Sequence, residues 1–287
     1  MAELVATYER EILPLALRED IGSGDITTEA TVDPKKNGRA VIEAKDEMIL
    51  CGLPFLDATF QSQKNAVTLI KHLAREGEAV KRGTIVYEIE GKLSTLLSLE
   101  RTALNLLQRL CGIASKTNAF VRLLDGSRVK LLDTRKTLPG FRLLEKYAVK
   151  TGGGRNHRIG LYDLYMIKDN HIQAGGGITP AIQKVREHRK KNHAGGPAIL
   201  IEVECKTLPQ VQEAVAANAD IIMLDNMDDL RVREAVRMID RKAQIEVSGN
   251  ITQGRLPNLA RLDIDFVSSG AITHSAPAKD LSMKIVS

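Results

Sequence analysis

Residues 198–226 read AILIEVECKTLPQVQEAVAANADIIMLDN and hold one full period of a repeating pattern. Two near-continuous apolar runs, AILIEVE and ADIIMLD, flank LPQVQEAVAA, whose apolar residues recur at helical spacing. Apolar strands alternating with amphipathic helices are covered on both faces, which predicts a parallel α/β sheet or barrel. The rhythm starts after Asp125-Gly126 and runs to DFVSSG. It adds strands at VKLLDT, LYMIKD, AQIEVS and DFVSSG and helices at ITPAIQKVREHRK, MDDLRVREAVRMI and LPNLARL.

The first hundred or so residues have a different texture. An opening helix (about Leu4 to Glu19) leads into the polar turn IGSGDITT. Strand-like runs follow (RAVIEAK, MILCGL, AVTLIKHL, TIVYEIEG), with a helix around Pro54 to Gln63. Glycine turns between alternating segments predict short antiparallel strands. From Leu93 a long proline-free stretch with leucines at helical spacing predicts a helix that leads from one domain to the next.

Composition bounds the function. The 287 residues are 43% hydrophobic and 27% charged, as in a globular protein with a substantial core. No run approaches the roughly 20 apolar residues of a membrane crossing, and the charged N-terminus is not a signal peptide. Three cysteines, far apart and without a CxxC pair, suggest free thiols and a cytoplasmic location. The net charge of +5 points to anionic ligands. Nucleic acid is disfavoured, because aromatics are only 3% and stacking platforms are few. Positive charge gathers instead in short loops at Arg135-Lys136 and Arg155 to Arg158.

Each predicted barrel strand ends in a polar or glycine cluster, and α/β barrels build their sites at the carboxyl ends of the strands. Arg135, Lys136, His157, Arg158 and Lys168 form a cationic set suited to carboxylates and phosphates. The ordinary alternative for each is a salt bridge to a surface carboxylate. In GGGRNHR (residues 152–158), three glycines and clustered cations are costly without a bound anion. Glu202 and Glu204 are two apart on one strand and share a face, and Asp225 ends the next strand. Together they make a candidate Mg²⁺ site, with internal ion pairs as the competing reading. Ser248-Gly249-Asn250 and Ser269-Gly270 are small-residue loops between strand and helix, where phosphate binds, and His274 stands beside the second. IGSGDIT lacks the third glycine of a dinucleotide fingerprint and follows a helix. The six histidines lack metal-site spacing, and no GxSxG elbow occurs.

The runs DTRKTLPGFRLLEKYAVKTGGGRNHRIGLYDLYMIKDNHI, IEVE, MLDN, EVSGNIT and SSGAITHSAPAKDLSMKI closely resemble the quinolinate phosphoribosyltransferase family, as do LREDIGSGDITT and LERTALNLLQRLCGIAS. The resemblance covers nearly the whole chain. It implies an open seven-stranded α/β barrel at about 113–272 and an N-terminal α/β sandwich at 1–112, joined by 273–287. It also implies a homodimer with a shared active site, in some members a hexamer. The implied reaction converts quinolinate and phosphoribosyl pyrophosphate to nicotinate mononucleotide, CO₂ and pyrophosphate with Mg²⁺, a step of NAD synthesis. Quinolinate would meet Arg135, His157, Arg158 and Lys168, with Lys136 adjoining and Arg101 from the partner subunit. The implied catalytic set is Lys136, Lys168, Glu202, Glu204 and Asp225. Metal and ribose would meet Asp225 and one of the two glutamates, which the resemblance does not distinguish. Phosphate would meet Ser248, Gly249, Asn250, Ser269, Gly270 and His274. Two other readings stay open: a Schiff-base aldolase acting through Lys168, and a non-catalytic phosphate sensor. The molybdenum-transport-associated paralogue shares the implied fold with a different nitrogenous substrate, and the intact Arg135-Lys136 and His157-Arg158 pairs favour quinolinate.

Overall fold

The computed structural model describes residues 1–63, 65–193 and 199–286. They form two compact units, one comprising Met1–Asn118, Leu138–Gly153 and Ser275–Ser287, the other Ala119–Thr137 and Gly154–His274. Beyond the expected 1–112 joined by 273–287, the first unit also takes in 113–118 and 138–153. The segment 138–153, with its helix Arg142–Thr151, packs in the first unit although the chain on both sides of it belongs to the second.

In the first unit, β1 (Asn37–Ala44), β2 (Met48–Ile49), β3 (Val67–His72), β4 (Ala79–Val80) and β5 (Ile85–Lys92) alternate buried and exposed residues only in part. The C-terminal strand Leu281–Val286 pairs antiparallel with β1, β1 with β5 and β5 with β3, while β2 and β4 make a separate two-stranded ribbon. MILCGL was expected to be a full strand, but only its first two residues pair; Leu50 and Cys51 are instead wholly buried. The polar turn IGSGDITT contains a short helix, Ile26–Thr31, because Asp25 caps it by accepting from the Thr28 N–H at 3.0 Å. The long helix runs from Leu93 to Val121 and buries Leu96, Leu99, Leu104, Leu107 and Leu110 along one stripe. Gly112 on that helix has a packing reason: a Cβ there would lie 2.1 Å from the Pro277 carbonyl oxygen.

The second unit is an open α/β barrel. Its strands are β6 (Lys130–Leu132), β7 (Tyr165–Ile167), β8 (Ile201–Cys205), β9 (Ile221–Asp225), β10 (Gln244–Ser248) and β11 (Phe266–Ser268). They form one parallel sheet in the order β6-β11-β10-β9-β8-β7. All six strands read from the sequence are present, although the predicted start of AILIEVE at Ala198 lies outside the described residues. The seventh strand of the expected barrel is reduced to one parallel bridge between Arg155 and Leu132, with the Arg155 N–H donating to the Leu131 carbonyl at 2.8 Å. β8 is buried along its whole length, as a strand covered on both faces must be.

Candidate active site

Register alone decides which side chains share the barrel's inner face. Residues paired across neighbouring strands project the same way, and residues two apart on a strand do too. Glu204 pairs with Met223 and Met223 with Glu246, while Asp225 pairs with Ser248. Met166 pairs with Glu202 and lies two residues before Lys168. Lys168, Glu202, Glu204, Asp225, Glu246 and Ser248 therefore line one face, with the last residue of each strand nearest its carboxyl end.

At the bottom of this face sits His157. Its ring Nε2 lies 3.2 Å from Glu202 Oε2 and 3.3 Å from Glu246 Oε2, and both carboxylates are almost wholly buried. The backbone holds the ring in place: the His157 N–H donates to the buried Asp133 carboxylate at 2.9 Å. Burial by itself would lower the imidazole pKa. Hydrogen bonding and attraction from the two carboxylates outweigh it and raise the value from 6.5 to about 10. Glu202 is raised in turn by burial and by Glu246, against the opposing pull of His157. His157, Glu202 and Glu246 are close enough to resemble a metal site, but an imidazole that keeps its proton has no lone pair to offer.

Glu246 escaped the sequence reading. Its signal was present, because Glu246 between Ile245 and Val247 has the same status as Glu202 between Ile201 and Val203, two positions before a strand's polar end. Nothing in periodicity alone says that two strands aim carboxylates at one imidazole.

The cations sit nearer the opening. The Lys168 ammonium is hydrogen-bonded to Glu204, the more accessible of the two glutamates on β8. Arg158 donates from its guanidinium to the Leu164 carbonyl at 3.3 Å. Its pKa is lowered by burial and by the neighbouring Arg135, with Glu202 and Asp163 opposing. The Arg135 guanidinium is thus held close enough to disfavour the charge on Arg158. Arg135 Nε is buried and has no hydrogen-bond partner among the described residues.

The small-residue loops follow β10 and β11. The Ser268 hydroxyl donates to the Ser248 hydroxyl at 2.9 Å, and the Ser269 N–H donates to the Leu132 carbonyl at 3.1 Å. Gly249 and Asn250 have φ of 85° and 50°, the left-handed region that glycine and asparagine tolerate. The first loop does not lead directly into a helix as expected; the next helix starts at Leu256. The second does, into the four-residue helix Ala271–His274. The Lys136 side chain crosses Gly270 beside the His274 ring: a Cβ at Gly270 would lie 2.7 Å from Lys136 Cδ and 3.0 Å from His274 Cδ2.

Arg101, expected to reach a partner subunit's site, lies in the first unit, exposed on the long helix. Gly152 needs no ligand to explain it, since a Cβ there would stand 2.4 Å from the Ala114 carbonyl oxygen. The glycine run in GGGRNHR is partly a packing feature, and only its cations remain as ligand evidence.

The description "Quinolinate phosphoribosyl transferase, C-terminal domain" matches residues 113–284, and "Quinolinate phosphoribosyl transferase, N-terminal domain" matches residues 25–111. A relative from Bacillus subtilis, described as a probable nicotinate-nucleotide pyrophosphorylase [carboxylating], is 43% identical over 93% of this chain and 90% of its own length. One from Arabidopsis thaliana, described as the chloroplastic enzyme of that name, is 36% identical over 97% of this chain and 83% of its own. The solved nicotinate-nucleotide pyrophosphorylase of Francisella tularensis superposes with a TM-score of 0.90 at 39% identity, covering 98% of this chain and 97% of that one. With both domain descriptions matched and relatives of this identity spanning nearly its full length, the chain belongs to the quinolinate phosphoribosyl transferase family.

Proposed function

We propose that this protein transfers the phosphoribosyl group of phosphoribosyl pyrophosphate to quinolinate and releases CO₂, pyrophosphate and nicotinate mononucleotide. The observation that carries the reading is the pairing of Arg135 and Arg158. Like charges held together, one with a buried unpartnered donor, are favourable only when an anion lies between them. A pyridine dicarboxylate supplies that anion in planar form, matched to guanidinium geometry. Lys168 adds further positive charge near the opening.

The ribose and phosphates fit the other half of the face. Asp225 and Ser248 are register partners at the ends of β9 and β10, and the Gly249-Asn250 and Ser269-Gly270 turns expose backbone there. The donor set fits Mg²⁺: Asp225 and Glu204 offer carboxylate oxygens near the opening, too few for a closed cage but enough for an ion that keeps waters and phosphate oxygens. Glu204 and Asp225 would hold it, with Glu202 committed to His157. When bound, the ion neutralises charge on the departing pyrophosphate.

The chain's own residues account for the rest. Arg135, Arg158 and Lys168 orient the pyridine so that its nitrogen faces the ribose carbon; such positioning contributes up to roughly 7–11 kcal/mol in ideal cases. Departure of pyrophosphate builds positive charge on that carbon, which Asp225 and Glu204 stabilise. The ring nitrogen bonds to the carbon and becomes cationic. The C–C bond to the adjacent carboxylate then breaks, its electron pair stays on the ring carbon beside N⁺, CO₂ leaves and the carbon takes up a proton. Lys168 hydrogen-bonded to Glu204 is a poorer Schiff-base nucleophile than a free amine, which disfavours the aldolase reading.

We also infer a homodimer in which Arg101 serves the partner's site, supported by its exposure on the long helix, and a cytoplasmic location, supported by three cysteines that are all free and buried. None of the described helices is long and apolar enough to cross a membrane. Arg158→Ala should abolish calorimetric binding of quinolinate while phosphoribosyl pyrophosphate still binds with Mg²⁺; undiminished quinolinate affinity would refute the assignment.

A further inference from the structure

Asn226 follows Asp225 at the end of β9 and has φ of 55°. Its side chain is used at both ends. Nδ2 donates to Asp225 Oδ2 at 2.9 Å, and Oδ1 accepts from Asn250 Nδ2 at 3.1 Å. Its backbone N–H donates to the Ser248 carbonyl at 3.0 Å. Gly249 lies so close that a Cβ on it would stand 2.2 Å from Asn226 Oδ1 and 2.9 Å from the Asn226 nitrogen. One amide thus ties a strand-end carboxylate to the adjoining glycine turn, and both tied asparagines adopt the left-handed backbone. Arg255 braces the same two loops from outside, donating to the Met227 carbonyl at 2.5 Å, the Gly249 carbonyl at 3.4 Å and the Asp229 carboxylate at 2.9 Å.

We propose that Asn226 is a positioning residue that fixes the Asp225 carboxylate relative to the Gly249-Asn250 turn, so that one phosphoribosyl pyrophosphate molecule can meet both at once. The inference rests on the reading above, in which Asp225 serves the ribose and metal and the turn serves phosphate. An amide is the side chain that fits, because the clasp needs a donor toward a carboxylate and an acceptor toward another amide. Aspartate in its place would keep the acceptor but set a second negative charge against Asp225. Glycine would keep the left-handed backbone without strain and remove the clasp alone.

The test compares Asn226→Gly, Asn226→Asp and Asn250→Ala with the unaltered protein. The readouts are steady-state CO₂ release, calorimetric affinity for phosphoribosyl pyrophosphate with Mg²⁺, and melting temperature. Loss of a hydrogen bond to a charged group weakens binding by roughly tenfold or more. Asn226→Gly should therefore raise the KM and Kd for phosphoribosyl pyrophosphate roughly tenfold or more, with the quinolinate KM nearly unchanged. Asn250→Ala should do so to a lesser degree, and Asn226→Asp should be the worst of the three. A purely structural residue would lower the melting temperature and scale both substrates' KM values alike, or leave both untouched; either result with Asn226→Gly overturns the inference. If the unaltered protein releases no CO₂, the functional reading fails and the inference falls with it. If it does and Asn226→Gly shows no selective loss, the inference fails alone.

Discussion

His157 is flanked by Glu202 and Glu246 within 3.3 Å, and this geometry fixes what pH can do to the site. An unfolded chain releases the imidazole proton near its ordinary value of 6.5, whereas the folded chain holds it to about 10. A group whose folded pKa is raised contributes stability that is fully present below the unfolded value and lost as pH rises through the folded one. The contribution of His157 is therefore complete below about pH 6.5 and fades toward pH 10. In an NMR titration the His157 ring should keep imidazolium shifts from pH 6 to 8 and should titrate lower in Glu246→Gln. A ring that loses its proton near 6.5 in the unaltered protein would contradict the clamp. The residue scale is also where sequence reading fell short. Arg135, Arg158, Lys168 and Asp225 announced themselves by standing at strand ends. Glu246 stands inside a strand, and its purpose depends on a partner about ninety residues earlier in the chain. Likewise the structure separates Glu202 from Glu204, which the sequence could not: one is sealed against His157 and the other meets Lys168 near the opening.

At the scale of elements, the barrel was legible because every strand in it is apolar over its length and every helix between has a clear stripe. β8, β9 and β10 are buried almost throughout, and such runs cannot be mistaken for loops. The helix Arg142–Thr151 (RLLEKYAVKT) was missed although it is amphipathic: it buries Leu144, Ala148 and Val149, and with them the charged Glu145 and Lys146. Specific pairs fix it there: Arg109 to Glu145 at 2.7 Å and the Tyr147 hydroxyl to Glu76 at 2.7 Å. The same helix explains the departure from a simple two-part division, since these partners all belong to the first unit. A seventh strand represented by one bridge at Arg155 carries no two-residue alternation, and only its pairing with Leu132 reveals it.

At the scale of the whole molecule, the proposed reaction needs a dicarboxylate grip from Arg135 and Arg158, a phosphate and ribose face on β9 to β11, and Arg101 from a neighbouring copy. If Arg101 serves a neighbouring copy, Arg101→Ala and Lys168→Ala chains should each be nearly inactive, and co-expressed mixtures should recover activity, because hybrid dimers contain one intact site. Mixtures as inactive as their parents would place Arg101 in its own subunit's site or outside the chemistry. The most direct measurement is release of CO₂ from quinolinate labelled in the carboxylate beside the ring nitrogen, with and without phosphoribosyl pyrophosphate. Release should require phosphoribosyl pyrophosphate and Mg²⁺ and should be accompanied by stoichiometric nicotinate mononucleotide, and nicotinate, which lacks that carboxylate, should be a poor acceptor. No labelled CO₂ under any of these conditions, or equal turnover of nicotinate, would contradict the account.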